Sequence, residues 1–346
     1  MFPGDGTVVG PWKRVGWCGV RLSVPEGWHP AGMDRGHLAF EGDTGAVMAV
    51  KWAPTRGRGP LRRKLPRIRG GFPREIRHTF RETVLPRSWR EALAGNFEPA
   101  DLTDAAAFRW SDPVGGGEGL VIRSRRDRRV FLLLFHGEGA SCGVDIPEIL
   151  TAFRSGARQG RVLWAVFDIR AWVPEAFRLV RHRFVPGDFA LTLAARRETL
   201  CLHRWGPASV LLRNRTLGAF ASERFRISRQ GISDGGNGRA IEWTEGPVGE
   251  GRIRRLSSLF SPIRRGRAWH ADDCDKILAL QTVGRRLPDE DRFTALCAAF
   301  HCVPPEGPKP GGVFEGRLTD RPTDPNHGPN HGPNHGKTDD TTLQKI

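Results

Sequence analysis

The 346-residue chain carries 54 Lys and Arg against 38 Asp and Glu, a formal charge of +16, and 38% of its residues are hydrophobic, with 11 Trp. That apolar content excludes an intrinsically disordered chain and suffices for two domains of ordinary size. No apolar run is longer than Val130–Phe135, far too short to span a membrane, and the N-terminal stretch has no apolar segment of a secretory signal. A cytoplasmic protein with no membrane contact is expected. Its six cysteines include no CxxC and read as reduced thiols. Gly 43, Pro 26, no Tyr and only seven Lys describe a GC-rich coding bias. That bias explains the preference for Arg over Lys but not the excess of positive charge, which leaves a polyanionic partner open.

Along the chain, residues 1–11 read as an N-terminal tail. The stretch VRLSVPEGW (Val20–Trp28) alternates apolar and polar residues, predicting a strand that ends at Pro25. Gly36–Phe40 and Val47–Pro54 follow with the same two-residue period. Leu61, Leu65, Ile68 and Phe72 then recur at helical spacing, with Pro66 delaying or kinking the helix. Strands resume at Phe108–Trp110, a glycine-rich turn follows at Gly115–Gly119, and the hairpin closed by Val130–Gly137 leads to a helix near Leu150–Phe153.

The same phrases then return. FDIRAWVPEAF (Phe167–Phe177), Gly187–Leu191 and LCLHRWGP (Leu200–Pro207) repeat the opening strands and place Trp205 on Trp52. A helical stretch, Ser209–Phe220, and a strand, Ile241–Trp243, follow. After an Arg/Ser/Gly-rich loop longer than its counterpart, Gly266, Ile277 and Cys297 fall 147 residues beyond Gly119, Val130 and Leu150. One spacing shared by three elements implies a duplication. The expected fold is α+β: two tandem units, 12–157 and 161–304, each β-β-β-α-β-β-β-α with a mostly antiparallel sheet and packed helices. Residues 305–346, with three successive PNHG phrases, read as a disordered low-complexity tail.

The unit resembles the PsbP/Mog-type α/β sandwich in its opening VPExW phrase, its middle helix, and a closing hairpin leading to a last helix that ends near AF. The resemblance covers most of 12–157 and again 161–304. It implies a binding role more than catalysis, since members of that family mostly dock onto other proteins; the doubled arrangement departs from their single domain.

No GxxxxGK[ST], HExxH or GxGxxG occurs, so P-loop, zincin and dinucleotide chemistry lose support. The second unit offers His270 and Cys274 in a hairpin loop, and His301 and Cys302 at the end of the last helix. Two imidazoles and two thiols are the ligand set of a closed tetrahedral zinc site. The competing reading leaves them as ordinary loop and core residues. No cofactor other than that zinc is expected. The tail imidazoles His327, His331 and His335 are a weak metal tether or a slipped repeat.

Basic stretches cover Arg56, Arg58, Arg62, Arg63, Lys64, Arg67 and Arg69, then Arg123–Arg129 and Arg252–Arg267. They form either a patch for an acidic protein surface or nucleic acid, with Trp52 or Trp89 available for stacking, or a solvated face. The repeated Trp28, Trp52, Trp110, Phe177, Trp205 and Trp243 are expected in the core. The leading functional expectation is a non-enzymatic binding or scaffold protein. A zinc protein is the alternative. An enzyme with a pocket between the units comes third, hinted at only by His136, His203 or His270 near carboxylates.

Overall fold

The computed structural model describes residues 12–55, 59–111, 115–137, 145–236, 238–246, 262–286 and 288–304. Arg56, Arg58, Cys142, most of the Arg/Ser/Gly-rich loop and both tails lie outside them.

Among the described residues, twenty strands form three antiparallel sheets. In the first half these are β1 (Trp12–Trp17), β2 (Val20–Pro25), β3 (His29–Asp34), β4 (His37–Gly42), β5 (Gly45–Pro54), β6 (Arg81–Thr83), β7 (Ala106–Trp110), β8 (Gly117–Ser124), β9 (Arg129–His136) and β10 (Arg154–Ser155). The second half contributes β11 (Arg161–Val166), β12 (Ile169–Pro174), β13 (Arg178–Val185), β14 (Asp188–Ala195), β15 (Glu198–Trp205), β16 (Ile232–Gly236), β17 (Ala240–Glu245), β18 (Ile263–Ala271), β19 (Lys276–Gly284) and β20 (Phe300–Cys302). Two seven-stranded sheets share one order, β3-β4-β5-β9-β8-β7-β6 and β13-β14-β15-β19-β18-β17-β16. Between them lies a six-stranded sheet, β10-β2-β1-β11-β12-β20, built from both halves.

Five strands, rather than the expected three, precede the helices of each half. The additional ones are β1 and β3, with β11 and β13 beyond. WKRVGW and HPAGMD lack a clean two-residue period, so periodicity did not mark them. The hairpins β1–β2 and β11–β12 are closed by two-residue turns, in which Cys18 (φ 49°) and Phe167 (φ 54°) both take left-handed backbone.

One apolar core lies inside the central sheet and against the inner faces of the other two. It includes Val15, Trp17, Leu22 and Val24 from one half and Trp164, Ile169, Leu191 and Leu202 from the other. Two smaller clusters sit on the outer faces. Leu61, Leu65 and Ile68 cover Phe108 and Trp110 in the first half; Leu217 and Phe220 cover Trp205 and Trp243 in the second. Pro66 falls in the first turn of the helix Leu65–Gly70, where a missing N–H is no loss.

The aromatic positions expected in the core are buried, but the pairing of Trp52 with Trp205 is corrected by the ladder. Trp52 pairs with Phe131, and Arg204 pairs with Leu278, 147 residues after Phe131. Arg204 therefore holds the place of Trp52, and Trp205 that of Ala53. A shift of one residue reverses the face of a strand. Trp52 accordingly packs in the central core and Trp205 in the outer cluster. The last helix is corrected too. It spans Glu290–Ala298, and Phe300–Cys302 is a strand paired with β12.

Candidate functional site

The strands β2 and β12 each alternate buried and half-buried residues. Val20, Leu22, Val24, Ile169, Ala171 and Val173 point into the core, so Arg21, Ser23, Arg170 and Trp172 stand on the outer face of the central sheet. Cross-strand register joins that face into one row: Arg154, Arg21, Gly16, Ala165, Arg170, His301. The six strands contain five arginines and one lysine and no Asp or Glu. Gly16 is required at the centre, because a Cβ there would lie 2.7 Å from Leu163 Cγ and the Leu163 carbonyl oxygen.

Half of this face is closed. The Arg21 guanidinium reaches across the sheet to lie 5.8 Å from the Trp172 ring, and Leu163 on the same face is buried. Burial lowers the Arg21 pKa from its ordinary value, and Arg158, Arg154 and Arg14 lower it further. Arg170 is lowered in the same sense, by burial and then by Arg14. Asp127 acts against this at Arg21 but does not outweigh it, and like charges that repel each other favour a bound anion.

The other half opens into a notch. Strands β1 and β11 pair only at Gly16 and Ala165. On the Trp12 side of that pairing lies a cavity of about 590 Å³. Trp12, Lys13, Arg14 and Val15 form one wall; the turn Val166–Ile169 and Arg170 form the other; Cys274 and Lys276 also line it. Lys13 donates from Nζ to the Glu26 carbonyl oxygen at 2.6 Å. Burial holds its pKa below the ordinary lysine value, against the attraction of Glu26. Asp168 is paired with Arg204, which also lies 4.6 Å from the Phe189 ring. Trp12 Nε1, Arg170 Nε and Asp168 Oδ1 are buried and have no hydrogen-bond partner among the described residues. Arg14, Arg170 and Lys276 form no ion pair among them.

Beyond the other end of the same pairing lies a much smaller cavity, about 170 Å³, lined by Cys18, Arg129, Val162, Trp164, Arg178 and Leu179, among others. Lys13, Val15, His29 and Pro30 of the notch lie 149 residues before Val162, Trp164, Arg178 and Leu179. The indole of Trp164, edge-on to Trp17 at 5.2 Å, stands where the notch has the smaller Val15.

The zinc quartet does not converge. Cys274 and Cys302 hydrogen-bond to each other. His270 turns instead to Asp272 at 2.9 Å and Asp275 at 3.9 Å. His301 points outward beside Arg170 while Cys302 points inward, because adjacent residues of a strand face opposite ways. Among the described residues no group of three or more His, Cys, Asp or Glu is placed to hold one ion. The tail imidazoles His327, His331 and His335 lie outside the described residues.

The basic helix is a solvated face over the outer cluster of the first half. Arg63, Arg67 and Arg69 are exposed, Lys64 is half-buried, and Arg62 pairs with Glu82 at 2.8 Å. Trp52 and Trp89 are buried in the central core and unavailable for stacking. His203 stacks on Trp205, 5.0 Å between centroids, and burial pushes its pKa down to about 4. His136 packs against Trp110 at 5.7 Å. Neither His136, His203 nor His270 lines the notch.

Reading for runs of basic residues missed the site, whose arginines are single letters on separate strands. The signal that was present is the identical placing of Arg21 and Arg170 in VRLSVP and IRAWVP. No described helix is long and apolar enough to cross a membrane. The chain matches no protein-family model and no curated protein.

Proposed function

We propose that this chain is a non-enzymatic binding protein, a fused duplication of one α+β unit, that receives an acidic protein surface on the outer face of its central sheet. The row from Arg154 to His301, on a sheet without a carboxylate, carries the reading. Guanidinium forks pair bidentately with carboxylates, and half-buried ones have already given up part of their hydration. The duplication is supported by the shared order of the two seven-stranded sheets and by the antiparallel meeting of Gly16 with Ala165, 149 residues on. Gly119 and Gly266, 147 apart, also lie beneath aromatic rings of the preceding strand, Phe108 and Trp243. The resemblance to PsbP/Mog-type domains, which mostly dock onto other proteins, points the same way.

The test is binding of the full chain to poly-L-glutamate, followed across a salt series. Arg21→Glu with Arg170→Glu should weaken binding by about tenfold or more, and salt should weaken it in the unaltered chain. Arg67→Glu with Arg69→Glu on the basic helix should leave it nearly unchanged. Loss in the helix variant with retention in the sheet variant would reject the sheet face. Tighter binding to a single-stranded oligonucleotide than to poly-L-glutamate would replace the acidic protein by nucleic acid.

A further inference from the structure

The notch differs from its smaller counterpart in a consistent chemical direction. Lys13, Arg14 and Val15 stand where the other half has Val162, Leu163 and Trp164. Two apolar side chains are exchanged for cations, and the largest is exchanged for a small one. A cavity of about 590 Å³ results, within the roughly 300–1,000 Å³ typical of small-molecule sites. Four cations line it, Lys13, Arg14, Arg170 and Lys276, against the carboxylates of Glu26 and Asp168. Asp168 is already held by Arg204. The buried, unpartnered Trp12 Nε1 and Arg170 Nε are donors on lining residues, and Val15, Val166 and Ile169 supply apolar surface.

We propose that the notch binds a small organic anion, a carboxylate or phosphomonoester on a flat apolar body, with its charged group between Arg14 and Arg170 and its body on Val15. Two unpartnered donors against one unpartnered acceptor, Asp168 Oδ1, favour a ligand with more acceptor oxygens than donors. Lys13, Arg170 and Lys276 are half-buried, and cations partly removed from water bind an anion more strongly than the same cations on an open surface; Arg14 is exposed at the rim. The apolar lining includes Phe167, 45% exposed on the turn, which favours a charge attached to something hydrophobic over inorganic phosphate. This inference concerns the gap beside the β1–β11 pairing and does not rest on the macromolecular partner proposed above.

Isothermal titration of the full chain with 1-naphthyl phosphate, 1-naphthoate and the uncharged 1-naphthalenemethanol tests it. At least one charged probe should bind at one site per chain, about tenfold or more tighter than the uncharged one. The tighter of the two charged probes identifies the head group. Val15→Trp copies the other half into the notch and should lower affinity for the charged probe by about tenfold or more, with poly-L-glutamate binding retained. If that variant does not fold, Arg14→Gln with Arg170→Gln, both on the outer face, takes its place. It should cut the affinity of the charged probe and leave the uncharged one unmoved. The proposal falls if neither charged probe binds, if the uncharged probe binds equally well, or if a folded Val15→Trp chain binds undiminished.

Discussion

WKRVGW and RVLWAV occupy matching places in the central sheet and build opposite things. RVLWAV closes its end: Val162, Leu163 and Trp164 are buried, and about 170 Å³ is left. WKRVGW leaves its end open and more than three times as large; cations line both ends, Arg35, Arg129 and Arg178 at the smaller one, but only the larger takes them from the central strand itself. Both strands pair in the same sheet and back onto the same core, so the backbone does not set the difference. Side-chain volume and charge at three positions do. One end of the sheet is therefore filled by packing, while the other is left open.

The sharpest way to break that comparison is to remove the side chain that closes the smaller end. Trp164→Ala should cost about 3–5 kcal/mol in urea unfolding. Val15→Ala, which deletes two methyl groups next to space already open, should cost only about 1.5 kcal/mol. Equal costs would mean that the notch is as tightly packed as its counterpart.

A second contrast is in proton linkage. His203 holds the ladder place of Lys51 and is kept neutral in the folded chain, with a pKa near 4 against an ordinary 6.5. Between those values the unfolded chain binds the proton and the folded chain does not. Stability should therefore fall as pH drops from about 6.5 toward 4, by up to about 3 kcal/mol from this group. His203→Gln should flatten that part of the pH profile relative to the unaltered chain; parallel profiles would refute the assignment.

The third contrast is Arg204 against Trp52. Arg204→Ala strands the Asp168 carboxylate at the notch, at a cost of about 2 kcal/mol, and Asp168→Asn in the same background should recover part of it. A cost that Asp168→Asn leaves unchanged would mean that Arg204 acts by packing on Phe189 alone.

Much of the fold could be read along the chain, and much less of the site. The 147-residue spacing, the strands β2, β4, β5, β12 and β15, and the helix carrying Leu61, Leu65 and Ile68 all follow from local periodicity. Strands β1 and β11 escaped because neither alternates and the two do not look alike. Pairing Trp52 with Trp205 matched letters, whereas the ladder matches faces, and a single residue separates the two. The zinc quartet failed for a related reason: His301 and Cys302 are neighbours in sequence and opposites on a strand. Basic runs drew attention to Arg62–Arg69, which stand on the outside of a helix over a small core.

The amino-acid sequence determined the elements whose pattern repeats every two or four residues, and the recurrence of that pattern along the chain, because burying one face of a strand or helix is a local demand on side-chain order. Only the tertiary structure decided that Arg14, Arg21, Arg154 and Arg170 share one sheet face and that Val15 leaves open what Trp164 fills. Those relations depend on which strand pairs with which, at what register, between residues as many as 149 positions apart.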